Sequence, residues 1–192
     1  VCEQDNIHEM QRVCQRLGLA TKVHLKIDSG MGRIGVPTAQ AADLAELLID
    51  CPNLTLEGVF THLPVSDSMD NAYTQDQIER FKTVVLNIES AIETKIPLVH
   101  CANSGGVLDY PQSWMDMVRP GIMIYGFYPG EPSSHSIDLK PGLSFRTRLS
   151  FLKKVEKSTS IGYGRTWFAP EDTWIATIPA GYADGFNRLF SN

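Results

Sequence analysis

The sequence predicts an α/β protein: part of a (β/α)8 barrel, comprising its central to C-terminal strands, followed by the start of an antiparallel β domain. Three observations carry this. Strand-like segments alternate with amphipathic helical stripes over the first 130 residues, in units of roughly 35–40 residues as in successive barrel units. Most connections are short, so that right-handed crossovers and parallel strands follow. After Pro129 the helical stripes stop and period-two alternation takes over. A doubly wound sheet would give the same local pattern in the first part.

The first helix is expected from about Ile7 to Leu17, where Ile7, Met10, Val13, Cys14 and Leu17 recur at helical spacing and Gly18 supplies a stop. Val23 to Asp28 reads as a strand. It runs into Ser29-Gly30-Met31-Gly32-Arg33-Ile34-Gly35, a glycine-punctuated loop that presents an arginine. Thr38 is a candidate N-cap for a second helix striped by Ala41, Ala42, Leu44, Ala45, Leu47 and Leu48.

A second strand is expected over Leu56 to Leu63, then a polar loop from Ser66 to Asn71. A long helix from about Tyr73 to Thr94 carries Ile78, Phe81, Val84, Val85, Ile88 and Ile92 on one face. A third strand, Pro97 to Ala102, ends in Asn103-Ser104-Gly105-Gly106, and a fourth is expected through Met117 to Gly126. Further strands are expected over Leu143 to Leu152 and Trp174 to Ala180. The domain organisation is thus barrel to residue 130, linker 131–142 and β domain 143–192.

With 192 residues, 43% hydrophobic and 20% charged, the chain has the composition of a soluble globular protein. A net charge of −5 and no basic run argue against a nucleic-acid partner. No apolar run approaches the roughly 20 residues of a membrane span, and no signal peptide is expected from these residues. The chain lacks an initial Met, begins in a helical stretch and stops just after a turn, which gives the expectation of a fragment. Cys2, Cys14, Cys51 and Cys101 form no CxxC pair and are expected to be buried, reduced thiols of a cytoplasmic protein.

Polar groups fall at the ends of the expected parallel strands: Lys26 with Arg33, His62, Asn103 with Ser104, and Arg119. In a barrel these ends share one face and would ring one cavity. Each also has a structural explanation. His62 could be a hydrogen-bonded core histidine, Asn103-Ser104 a helix cap, and Arg119 half of a salt bridge to Asp116. Their co-location at one rim favours a site. Tyr163 and Tyr182, held between glycines on turns, could project into a neighbouring cleft or cover a sheet edge. An acid or base role would need positive charge to lower the phenol's ordinary pKa of about 10.

Together, KIDSGMGRIG from Lys26 to Gly35, Thr61-His62, HCANSG from His100 to Gly105, DMVRPGIMIY from Asp116 to Tyr125, GYGRT from Gly162 to Thr166 and GYADG from Gly181 to Gly185 resemble the alanine racemase family, fold-type III pyridoxal-phosphate enzymes. The resemblance covers essentially the whole chain, in order. It implies a two-base interconversion of L- and D-alanine, or L- and D-serine, supplying D-amino acid for peptidoglycan, with pyridoxal 5'-phosphate as cofactor. Arg33 would reach cofactor and substrate carboxylate. Lys26 would be carbamylated and hold Arg33. Ser104 and the amides of Gly121 and Ile122 would bind the cofactor phosphate, with Asn103 beside them. Arg119 would donate to the pyridine nitrogen, and His62 would hydrogen-bond between Arg119 and the catalytic tyrosine.

Tyr163 would be one base, contributed across a homodimer interface to the partner's barrel, and Tyr182 would line the same site. The Schiff-base lysine is expected upstream of this chain, since none of Lys22, Lys26, Lys82 or Lys95 matches its motif. The fragment alone is therefore expected to be inactive. Thr61 to Ser68 resembles the serine/alanine racemase domains of vancomycin-resistance proteins, which would add an upstream membrane tether to a cytoplasmic domain. Two other readings stand beside this one. One is a metal-dependent barrel hydrolase using His24, His62, His100 and Asp28; the other is a non-catalytic binding protein on a racemase-like half-barrel.

Overall fold

A computed structural model describes residues 1–68, 71–131 and 133–190. Met69 and Asp70 of the expected polar loop, Pro132 of the expected linker and the last two residues lie outside them. The chain divides into two compact units, Val1–Gly142 and Leu143–Asn192.

The first unit runs α1 (Gln4–Leu17), β1 (Thr21–Asp28), β2 (Val36–Pro37), α2 (Ala41–Ile49), β3 (Leu54–Phe60), α3 (Asn71–Ala91), β4 (Leu98–His100) and α4 (Ser104–Asp109). Its four strands form one parallel sheet in the order β2-β1-β3-β4. From β1 through β3 to β4 each new strand adds on the same side. That is the progression of a barrel wall; the two-residue β2 lies on the other edge of β1 and pairs only with Ile27 and Asp28.

Parallel strands carry helices on their faces and therefore bury residues of both parities. In β1 the consecutive Leu25, Lys26 and Ile27 are all buried. Ile78, Phe81, Val84, Val85 and Ile88 of α3 join Val23, Leu25, Ile27, Leu56 and Val59 in one core, with Ala45 and Leu48 of α2. At roughly 1.5–3 kcal/mol for each large side chain removed from water, this stripe outweighs any capping contribution to helix stability. Gly18 closes α1 in the left-handed conformation, at φ 66°.

Several sequence expectations are corrected. Leu17 lies outside the core, 58% exposed. Thr38 does not cap α2: it opens a 3-10 turn, Thr38–Gln40, and the helix begins at Ala41 without a side-chain cap. The strand expected through Met117 to Gly126 does not form. Asp116 and Arg119 donate to Val99 and Ala102 carbonyls at 3.0 and 2.9 Å, but Pro120 has no N–H to continue the ladder and Ile122–Tyr125 coils into a 3-10 turn. All four cysteines are free, yet Cys2 is only partly buried.

In the second unit β5 (Phe151–Val155) pairs antiparallel with β8 (Thr173–Thr177), and β6 (Ser160–Ile161) with β7 (Trp167–Phe168). The strand expected from Leu143 starts only at Phe151. No described strand pairs with 143–149, and alternation without a ladder partner does not hold a strand. Tyr163–Arg165 and Tyr182–Asp184 are 3-10 turns with glycines at positive φ: Gly162 before and Gly164 within the first, Gly185 after the second. Among the described residues, no helix is long and apolar enough to cross a membrane.

Candidate active site

Strand ends of the parallel sheet build a cavity of about 230 Å³ in the first unit, lined among others by His62, Asn103, Ser104, Arg119, Gly121 and Ile122. Every residue expected from the strand-end motifs of β3, β4 and the 116–125 segment is therefore in one place.

Its floor is set by Asn103. The side-chain oxygen caps α4 by accepting from Gly106 N at 3.0 Å and also accepts from Ser66 Oγ at 2.7 Å. The side-chain nitrogen donates to Leu63 O at 2.9 Å, so one amide fixes the loops after β3 and β4 together. Asn103 is thus a cap and a cavity residue at once. Ser104 Oγ accepts from the amides of Gly121 at 3.0 Å and Met123 at 3.4 Å. With its lone pairs so used, the hydroxyl hydrogen is left to donate to an anion. A Cβ at Gly121 would meet nothing within 4 Å, whereas one at Gly105 would lie 2.5 Å from Ser66 O.

Arg119 stands at the other side. Its guanidinium donates to Thr61 O at 2.6 Å, to Cys101 O at 3.4 Å and, in a short contact, to His100 Nδ1. It also lies over the Phe60 ring, 5.2 Å from the centroid. These bonds use three of five guanidinium hydrogens, leaving donors but no acceptor for a ligand. Asp116 is not its partner, because that carboxylate accepts from Val99 N at 2.8 Å.

Among the described residues the expected hydrogen bond between His62 and Arg119 does not form; the His100 ring occupies that place. His62 contributes its backbone oxygen to Gln77 Nε2 at 2.9 Å, and its ring pKa is pushed below the ordinary imidazole value by burial first and then by the charges of Arg119, Arg33 and Lys26. Lys26 is buried, 5% exposed, 5.7 Å above the same Phe60 ring. Burial, then Arg33 and, more weakly, Arg119 push its pKa below that of an ordinary lysine, against an opposing pull from Asp28. Arg33 itself is exposed on the glycine loop, which Asp28 organises by accepting from the Gly30 and Gly32 amides, each at 3.0 Å.

Tyr163 and Tyr182 belong to the second unit, where both are exposed on their turns. The ligand set of the hydrolase reading does not assemble. His24 Nδ1 and His100 Nε2 bond to each other at 2.8 Å, and among the described residues no group of three or more His, Cys, Asp or Glu is placed to hold a metal.

Sequence reasoning missed Gln77 and Phe60. Gln77 is fully buried on α3 and donates to both Ser29 Oγ, at 3.1 Å, and His62 O, tying the helix to the ends of β1 and β3. The available signal was a polar residue beside Ile78 on a buried stripe. Phe60 stacks on His100 at 5.0 Å and 9°; nothing in its strand pattern marks it as more than core.

Residues 1–129 match the family model of the alanine racemase N-terminal domain and residues 142–192 that of the C-terminal domain. The alanine racemase of Chlorobaculum tepidum is 42% identical over the whole chain, and that of Treponema denticola 43%. The chain spans about half the length of these curated relatives: 50% and 51% respectively. A solved alanine racemase of Clostridium difficile aligns with a TM-score of 0.85 at 32% identity, covering all of this chain and 50% of that one. The Bacillus anthracis enzyme, solved with bound L-Ala-P, aligns at 0.77 and 32% identity, covering 97% of this chain and 48% of that one. The fold, the order of the two units and the sequence agree throughout: the chain belongs to the alanine racemase family.

Proposed function

We propose that the whole protein containing this chain is a pyridoxal-phosphate-dependent amino-acid racemase that interconverts L- and D-alanine, or L- and D-serine, in the cytoplasm as a homodimer and supplies D-amino acid for peptidoglycan. The observation that carries this is the polarity of the cavity: a hydroxyl with converging amides at one side and a donor-only guanidinium at the other. An anionic group fits the first and an uncharged acceptor the second, which is the chemistry of a phosphorylated pyridine.

Ser104 Oγ and the amides of Gly121 and Ile122 would hold the phosphate, the Gly121 amide exchanging Ser104 Oγ for a phosphate oxygen, with Asn103 keeping the two loops in register. Arg119 would face the ring nitrogen. Because arginine stays protonated, that nitrogen must remain an acceptor, which makes the ring a weaker electron sink and disfavours side reactions. The bound cofactor supplies the sink for the electrons released when the substrate Cα–H bond breaks.

The chain's own groups do the rest. Arg33 orients the substrate carboxylate, and Tyr182 accompanies Tyr163 to the partner subunit's site. Tyr163, offered to the partner subunit's barrel, removes or returns the Cα proton on one face, with His62 and the cationic cluster around it lowering the cost of a phenolate. Lys26 has the reduced basicity that lets an amine react with carbon dioxide. The new N–C bond forms as the amine loses a proton to solvent, and the resulting carbamate anion would turn the repulsion from Arg33 and Arg119 into attraction.

The test is reconstitution of the full-length protein with pyridoxal phosphate, followed by chiral analysis of alanine and serine. A visible cofactor band with conversion in both directions is expected. A protein that takes up no cofactor, or that binds it and leaves both enantiomers unchanged, would overturn the proposal.

A further inference from the structure

We propose that Glu57 and His24 are positioning residues for Arg119: Glu57 fixes the tautomer of His24, His24 fixes that of His100, and His100 presents an acceptor to the guanidinium. Only the last link, from Arg119 to a cofactor, rests on the function proposed above.

Hydrogen-bond inventory determines the chain. Arg119 can only donate, so His100 Nδ1, which it contacts, carries no hydrogen. The neutral His100 ring then has its hydrogen on Nε2, pointing at His24 Nδ1, 2.8 Å away. His24 Nδ1 must accept, which places its hydrogen on Nε2, 3.5 Å from Glu57 Oε2. The other Glu57 oxygen is held by Lys22 Nζ at 2.6 Å. Formal charge thus sits at the two ends, Arg119 and the Glu57–Lys22 pair, with two neutral rings between. A hydrogen added to either ring sets N–H against N–H and disconnects Arg119.

Two backbone features serve this arrangement. The register of β1 on β3 passes from Val23–Leu56 to His24–Gly58, so Glu57 is the extra residue of a bulge, and bulges re-aim side chains. Gly58 then stands opposite His24, where a Cβ would lie 2.6 Å from Nδ1 and Cε1 of the ring. The stack of Phe60 on His100 closes one ring face. The charged groups facing the relay are Arg119, Lys22 and Glu57, with Lys26 over Phe60.

The experiment is a long-range 1H–15N spectrum of the full-length protein labelled in histidine, at pH 7. His24 and His100 are both expected as neutral rings protonated on Nε2. An Nδ1-protonated or doubly protonated His100 would overturn the proposal. In the near-isosteric Glu57→Gln variant the carboxamide oxygen stays on Lys22 and its NH2 group turns to His24. His24 is expected to switch to the Nδ1–H form and His100 Nδ1 to shift, whereas unchanged ring signals would remove Glu57 from the role. Glu57→Ala only deletes the acceptor and leaves Arg119 holding both rings from its end, so both should stay Nε2–H; a His24 that becomes Nδ1–H there would equally overturn it.

A second readout is the absorption band of the pyridoxal-phosphate-loaded protein. A band displaced in Glu57→Gln supports coupling to the cofactor, and identical bands sink that link. If neither protein binds cofactor, the proposed function fails while the ring signals still decide the relay.

Discussion

Arg119 Nη2 lies 2.6 Å from the carbonyl oxygen of Thr61, so a cation on the segment after β4 is bonded to the backbone at the end of β3. The same side chain reaches Cys101 O and His100, and it faces the cavity beside Ser104 and Gly121. Structure and chemistry share one group here. Lysine cannot replace it, because a single ammonium lacks the fork that serves these acceptors together. Arg119→Lys is expected to lower unfolding free energy by about 2 kcal/mol, the usual consequence of leaving buried acceptors unpaired. Urea denaturation of the full-length protein measures it, and an unchanged midpoint would show that water takes over those bonds.

Ser104→Ala removes a donor from the anion side and the acceptor that holds two amides. Pyridoxal phosphate should bind about tenfold more weakly, about 1.4 kcal/mol. Spectrophotometric titration at constant pH gives the constant; inorganic phosphate as competitor shows whether the loss is at the anion end.

Tyr163→Phe should retain the cofactor band and lower turnover by about 10²–10⁴-fold, the range for loss of a general acid–base group. Comparable turnover in both directions would exclude this phenol from proton transfer.

Acid should weaken the fold through His100. Its pKa falls from the ordinary 6.5 to about 4, chiefly by burial, then by Arg119 and His24. The unfolded chain therefore binds more protons than the folded one between those values, and stability rises with pH there. As pH falls from about 6.5 to about 4 the contribution is lost. Asp28, whose carboxyl is held low mainly by the Gly32 amide, adds loss in the same direction at lower pH. Denaturation midpoints across this range should decline, and less steeply in His100→Gln.

Gly58→Ala should destabilise by about 1–3 kcal/mol, as overpacking does. The methyl would strike the His24 ring and come 2.7 Å from Leu98 O, so the sheet cannot yield on either side. A thermal midpoint equal to that of the parent protein would mean the bulge at Glu57 absorbs the change.

The barrel wall was legible because its signals are periodic: α3 keeps a buried face over about four turns, from Thr74 to Ile88, and β1 and β3 bury residues on both faces. The site was legible in part for a different reason, since His62, Asn103, Ser104 and Arg119 follow strand ends and strand ends of a parallel sheet converge. The Met117 to Gly126 segment misled because its apolar run looks like a strand while Pro120 denies it a ladder. The Leu143 to Leu149 alternation misled because pairing, and not alternation, makes a strand. Gln77, Phe60 and Glu57 could not be read from sequence. Their roles depend on contacts across 15 to 48 residues of chain and on a one-residue register shift that no local pattern encodes.

Cys101 sits between His100 and the cavity floor, fully buried, with its thiol donating to Ser113 O at 3.3 Å and its pKa raised by burial to about 12. In the folded protein it is therefore silent toward alkylating reagents, which attack only the thiolate. Once the end of β4 opens it becomes an ordinary thiol. The rate at which iodoacetamide modifies it then reports how often this edge of the site breathes, a clock that runs without substrate or turnover and that a tight ligand in the cavity would slow.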